Sequence, residues 1–174
     1  MTQISVFIGV SLDGYIATMD DRLDWLDQAA AEGEDYGFDA FLLEVDALAM
    51  GRGTWDQISA LDVLPFGGRP IFVFTHKPPA SDRREVTFFD LDPQSAVDRW
   101  DELGLGHVYL DGGKVISDFL EAGLVDDLQL TTAPILLGRG RPLFHPIGRR
   151  TDLFLDAVET FPSGMVSSHY TTRG

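Results

Sequence analysis

The sequence predicts an α/β fold with a mainly parallel central sheet, helices on both faces and antiparallel strands at its C-terminal end. Two observations carry this. Over the first two thirds of the chain, short and nearly continuous apolar runs alternate with stretches of helical periodicity, as in successive βαβ units. The last third holds strand-like runs with no helical stretch between them, and Pro162-Ser163-Gly164 turns the final pair. The 174 residues contain no internal repeat and no long linker, so one domain over 1–174 is expected.

The elements follow in order. Ile4 to Val10 reads as a strand buried on both faces, Asp13-Gly14 as a turn, and Tyr15-Ile16-Ala17 as a resumed extended segment. Glu34 and Asp35 open a helix on which Phe38, Phe41, Leu42 and Val45 recur at helical spacing. Ala47 to Met50 is a short strand. Thr54 is placed to cap a helix whose Trp55, Ile58 and Leu61 share a face. Pro70 to Thr75 is a buried strand and Val86 to Phe89 a weaker one. Asp92-Pro93 gives a cap with proline at the first helical position. Ala96, Val97, Trp100 and Leu103 then form a stripe, and Gly104 stops it. His107 to Leu110 is a strand, Asp111-Gly112-Gly113 a tight turn, and Val115, Ile116, Phe119 and Leu120 a helix ending at Gly123. Strands are expected within 127–137, 151–161 and 165–172.

Composition narrows the function classes. The net charge of −15 disfavours nucleic acid and anionic membranes as partners. No apolar run approaches the roughly 18 residues a membrane helix requires, and Met1 to Gly14 lacks the basic start of a signal peptide. Cysteine is absent, which removes disulfides, thiolate nucleophiles and cysteine-held metals and suits the cytoplasm. His76, His107, His145 and His169 are scattered without ligand spacing, so no metal is expected.

Open α/β sheets bind ligands at the carboxyl ends of their strands. Three such ends carry similar equipment: Gly51-Arg52-Gly53-Thr54 before a helix, Thr75-His76-Lys77, and Asp111-Gly112-Gly113-Lys114 before another helix. Glycine admits close backbone approach, a helix N-terminus offers free N–H groups, and arginine and lysine bind phosphate. Both lysines of the chain fall in these loops. Taken singly, the Gly-Gly pair reads as a tight turn, Arg52 as a surface residue and 75–77 as a polar loop. Together they suit a long ligand with several phosphates, such as a dinucleotide. No G-x-G-x-x-G fingerprint, P-loop or G-x-S-x-G elbow is present.

Met50-Gly51-Arg52-Gly53-Thr54-Trp55 resembles the Met-Gly-Arg-x-Thr-Trp signature of dihydrofolate reductases. Leu110 to Val115 is similar to their Gly-Gly loop, with Asp111 where a further glycine is common. Ser11 to Ala17 and Pro134 to Phe144 resemble more closely the reductase domain of the bifunctional riboflavin-biosynthesis deaminase–reductase. The resemblance covers essentially the whole chain and implies a dihydrofolate reductase-like fold, NADPH as cofactor and a pyrimidine or pterin-like substrate. It implies that Gly9, Ile16 and Ala17 flank the nicotinamide. Gly51, Arg52, Gly53 and Thr54 would hold the adenosine phosphate and pyrophosphate region, and Thr75, His76 and Lys77 the 2′-phosphate. Gly112, Gly113, Lys114 and Val115 would cradle the pyrophosphate.

Toward the substrate, the resemblance implies Ile58 and Thr131. Trp25 is either the family's tryptophan beside the substrate or a partly buried anchor. Counting back from Met50 lands on Asp35, either a proton donor set among Phe38 and Ile58 or simply a helix cap. Asp39 lies one turn later, and residues 26–34 look like an insertion. The favoured activity is reduction of an aminopyrimidine's ribosyl chain; dihydrofolate reductase and a nucleotide-holding module without turnover are the alternatives. A homodimer through the C-terminal strands is implied, with Phe144, Leu153 and Phe154 at the contact.

Overall fold

The structure, a computed structural model, describes residues 1–172. The strands are β1 (Gln3–Ser11), β2 (Tyr15–Ala17), β3 (Ala47–Gly51), β4 (Ile71–Phe74), β5 (Val86–Phe89), β6 (His107–Asp111), β7 (Asp127–Ala133), β8 (Arg141–Pro142), β9 (Phe154–Thr160) and β10 (Val166–Thr171). The helices are α1 (Asp24–Ala29), α2 (Phe38–Glu44), α3 (Arg52–Ile58), α4 (Pro93–Glu102) and α5 (Gly113–Ala122). Eight strands form one sheet in the order β5-β4-β3-β6-β1-β7-β10-β9. Every pair from β5 to β7 is parallel, whereas β10 runs antiparallel to both β7 and β9. The predicted α/β architecture with an antiparallel C-terminal edge is what forms.

Continuous apolar runs arise because both faces of the sheet are covered. Ile4 and Val6 of β1, Ala47 and Ala49 of β3 and Leu110 of β6 point to one side, where Trp100 of α4 and Ile116 and Phe119 of α5 close the core. Phe7, Leu48, Met50 and Tyr109 point to the other, against Leu42 of α2 and Trp55 of α3. Successive strand residues alternate faces, so each strand must be apolar throughout to fill both layers. Trp100 stacks on Phe119 with ring centroids 5.7 Å apart. The predicted cap is present: Asp92 accepts the N–H of Ser95 at 3.0 Å, with Pro93 opening α4.

Five local expectations are corrected. Residues 24–29 form helix α1, which runs into the segment 26–34 read as an insertion. The helix expected to open at Glu34 and Asp35 begins at Phe38, because Tyr36 and Gly37 adopt left-handed φ values of 56° and 88° that a helix cannot pass through. Thr54 lies inside the first turn of α3, whose cap is Gly51, and the exposed Leu61 falls beyond its end. Leu103, read as part of the α4 stripe, is also exposed. β7 stops at Ala133 rather than Leu137, since Pro134 cannot donate to the ladder.

Candidate active site

A cavity of about 460 Å³ opens at the carboxyl ends of β1, β6 and β7, floored by the sheet and walled by α1, α2 and α3. Its apolar surface comes from Phe7, Ile8, Ile16, Leu26, Phe38 and Met165. Gly9 and Thr131 sit side by side in the β1–β7 register and both line it. A Cβ on Gly9 would enter the space held by Leu26 at 2.6 Å, so glycine here lets α1 close over the strand.

Two polar groups inside the cavity stand out. Thr131 is 3% exposed, yet its Oγ1 has no partner among the described residues. An unsatisfied buried hydroxyl costs stability, so a ligand atom is its natural complement. Asp111, the last residue of β6, is half-buried and lines the cavity together with Phe38, Thr54 and Tyr109. Burial pushes its carboxyl up from the ordinary 3.8 to about 6, although the N–H of Gly112 works against that rise. Tyr109 beside it is buried and donates its OH to the carbonyl of Phe7 at 2.9 Å. Desolvation, with the Asp111 charge adding to it, drives its phenol well above its usual value. Asp111 was read from sequence as a turn residue only; its place before Gly112-Gly113 at a strand end was the available signal.

The anion-binding equipment lies alongside. Gly112 takes φ 96°, and α5 begins without a side-chain cap. The N–H groups of Gly113, Lys114 and Val115 precede its first internal bond, from Ile116 to Gly112, which leaves a positive helix end. Gly51 packs here, its Cβ direction meeting Val115 at 3.4 Å. Gly53 faces open space. Thr54 lines the cavity and its Oγ1 abuts Gly112. Farther along the sheet, Arg52 donates Nη1 to the carbonyl of Lys77 at 3.0 Å and Nε to Asp56 at 2.6 Å. Thr75 accepts the Lys77 N–H at 3.1 Å. Lys77 has no ion pair among the described residues, whereas His76 meets Asp90 and Lys114 meets Asp118. From β4 to β1 the sheet takes three steps of roughly 4.8 Å, so cavity, helix end and cations form one track.

The structure therefore brings Gly9, Ile16, Ala17, Phe38, Thr54 and Thr131 to the cavity, with Asp35 on its rim. It separates Trp25 and Ile58 from it. Trp25 is buried with Ala133 and Met165, which matches its reading as an anchor, and Ile58 packs into the core under α3. Their neighbours Leu26 and Gln57 face the cavity instead. Asp35 is exposed and accepts backbone N–H groups from Asp39 at 2.8 Å and Gly37 at 3.1 Å. These bonds hold its carboxyl below the ordinary range, the reverse of what an acid donor requires. At Gly113 the Cβ direction meets the carbonyls of Pro142 and Leu143, so the lack of a side chain there makes room for a loop of the chain, and only its N–H is left to face a ligand. Among the described residues no cluster of histidine and carboxylate could hold a metal, and no helix is long and apolar enough to cross a membrane.

Comparison with known proteins places this geometry. Two uncharacterized Bacillus subtilis (strain 168) proteins are similar along nearly their whole length. YwjB is 33% identical over 167 residues, 95% of each chain, and YyaP is 27% identical over 99% of this chain and 96% of its own. Among solved structures, a protein of Shewanella sp. PV-4 with a provisional riboflavin-biosynthesis name superposes with a TM-score of 0.90 at 31% identity, covering 98% of both chains. The Thermotoga maritima diaminohydroxyphosphoribosylaminopyrimidine deaminase/5-amino-6-(5-phosphoribosylamino)uracil reductase shares the fold, with a TM-score of 0.74 at 16% identity. It covers 98% of this chain and 56% of that one. The RibD C-terminal domain matches residues 56–167, from α3 through the Gly-Gly turn and the helix end into the last strand. With that match and the identity to YwjB, the chain belongs to the RibD C-terminal domain family.

Proposed function

We propose that the chain is an NADPH-dependent reductase of a small aminopyrimidine-like heterocycle. The observation that carries this is the single track from an apolar cavity with an unpartnered Thr131 Oγ1, past the uncapped start of α5, to Arg52 and Lys77. These residues fit a nicotinamide dinucleotide: flat apolar walls at one end, free N–H groups in the middle and cations at the far end. When bound, NADPH supplies a hydride, which is chemistry the side chains of this protein lack.

The remaining tasks fall to the chain. Gly9, Ile16 and Ala17 would let the nicotinamide lie flat, and Thr131 would donate to the substrate. Gly112, Gly113, Lys114 and Val115, with Gly51, Gly53 and Thr54 opposite, would hold the pyrophosphate region. Arg52, Thr75, His76 and Lys77 would take the 2′-phosphate, favouring NADPH over NADH. Phe38 and the α1–α2 wall would exclude water and fix the substrate ring. Burial raises the Asp111 carboxyl to about 6, so a fraction of it stays protonated near neutrality, and in this reading that carboxyl delivers its proton to the substrate. Asp35 keeps the cavity wall in place by capping α2.

A homodimer completes the proposal. β9 is the outermost strand, all of its residues are exposed, and Phe154, Leu155 and Val158 are each more than half exposed (51%, 59% and 53%). An apolar edge of this kind calls for a partner; Phe144 and Leu153 extend it. The test of the activity is NADPH oxidation with 5-amino-6-ribosylaminouracil or its 5′-phosphate as acceptor. Turnover with either supports the reading. Tight NADPH binding with no turnover of any acceptor would favour a nucleotide-holding module instead.

A further inference from the structure

The substrate cavity is lined by four carboxylates, Asp27, Glu34, Asp35 and Asp111, and no lysine, arginine or histidine lines it among the described residues. Asp111 lies within, and the other three are exposed around the mouth. The nearby arginines are engaged: Arg22 pairs with Asp20 at 3.0 Å and Arg141 with Asp21 at 2.6 Å, while Arg139 is exposed outside the lining. The cations of this end of the sheet are gathered along the cofactor track instead, where Lys77 has no ion pair among the described residues and Arg52 and Lys114 pair with Asp56 and Asp118 of their own helices. The unpartnered Thr131 Oγ1 marks the same cavity independently as a ligand site.

We infer that the substrate of this cavity carries no phosphate: it is a neutral or cationic flat heterocycle bearing amino groups, a ribosylaminopyrimidine in its dephosphorylated form or a close analogue. This deepens the reductase reading and rests on it. A phosphate at the mouth would meet Asp27, Glu34 and Asp35 with no countercharge, whereas amino and ring N–H donors find acceptors in the same carboxylates. The interior walls suit a planar ring. Three exposed charges act through solvent, so the discrimination is electrostatic and salt-sensitive.

The test uses 5-amino-6-ribosylaminouracil and its 5′-phosphate on the full chain saturated with NADP⁺, which occupies the cation track. Calorimetric affinities are measured at about 0.05 M and about 0.5 M salt, where the screening length falls several-fold. The unphosphorylated form should bind at least ~10-fold more tightly at low salt, a gap of about 1.4 kcal/mol, and the gap should narrow at high salt. Asp27 is exposed, with no hydrogen bond or ion pair among the described residues, so Asp27→Lys should fold normally and narrow the gap at low salt. Equal or tighter binding of the phosphate form at low salt overturns the inference, as does failure of both compounds to bind. NADPH oxidation separates the two claims. Turnover that prefers the phosphate overturns the inference and leaves the reductase reading intact. Binding of the unphosphorylated form without oxidation of NADPH leaves the charge selection standing and removes the reductase reading for that compound.

Discussion

Replacing Asp111 with Asn tests the buried acid. The carboxyl is raised from 3.8 to about 6 in the folded chain. That shift of about two units corresponds to roughly 3 kcal/mol against the ionised form. Because the folded value is the higher one, stability from the protonated acid is fully present below about 3.8 and is lost as pH rises through about 6. Asparagine keeps the shape and an acceptor for Gly112 N–H but never ionises. The variant should therefore match the parent near pH 4, gain on it as pH rises from about 4 to about 6, and hold a constant advantage above that. Asp111 keeps some solvent contact, so 3 kcal/mol is an upper bound, equivalent to about 6–12 °C in melting temperature for a chain of this size. Thermal unfolding at unit steps from pH 4 to pH 8 measures it. Under the proposed mechanism the same variant loses at least ~10²-fold in turnover below about pH 6, and the deficit shrinks at higher pH as the parent's acid ionises. A variant less stable than the parent at pH 8, or a difference independent of pH, refutes the buried-acid reasoning. Unchanged turnover removes Asp111 from proton delivery.

Other substitutions probe the surrounding account. Asp35→Asn should leave turnover unchanged and lower the melting temperature slightly, since its one acceptor oxygen keeps only one of the two bonds to Gly37 and Asp39, whereas Asp35→Ala loses both and should lower it further. Gly113→Ala should destabilise the fold by about 2–3 kcal/mol, because the added methyl meets the Pro142 and Leu143 carbonyls; a normally stable variant in a chemical melt would contradict that packing. Ser5 is fully buried and links His107 Nε2 to Asp127 Oδ2, each at 2.7 Å, so Ser5→Ala should cost about 1–3 kcal/mol with no change in cofactor affinity. Val158→Glu on β9 should yield a monomer in sedimentation if that edge pairs two copies.

The sheet was legible because each parallel strand must fill two core layers, and that demand writes continuous apolar runs such as Ile4 to Val10 and Ala47 to Met50. The α4 start was legible because Asp92-Pro93 acts locally. The cavity wall was not. α1 has no side-chain cap, and the start of α2 depends on left-handed Tyr36 and Gly37, a conformation set by the turn around Asp35. Asp111 shows the limit most clearly. Aspartate before two glycines looks the same in sequence whether it makes a turn or sits half-buried, and the cavity it lines is shared with Phe38, Thr54 and Tyr109 on three separate elements. Gly113 was read as part of a cradle for pyrophosphate, but the group its Cβ direction meets, Pro142, is distant in sequence. Trp25 and Ile58 missed the cavity while Leu26 and Gln57 reached it, an offset of one residue that helix phase decides.

Arg52 offers the most direct test of the central claim, because it joins the α3 start to the loop of Lys77 where the 2′-phosphate would lie. Calorimetric titration of the parent and Arg52→Ala with NADPH and NADH reads it. The account predicts NADPH at least ~10-fold tighter than NADH in the parent, with that preference reduced by roughly 10- to 100-fold in the variant, the worth of one charge-assisted phosphate contact of about 1.5–3 kcal/mol. Equal affinities for the two nucleotides in the parent, or no binding of either, would contradict it.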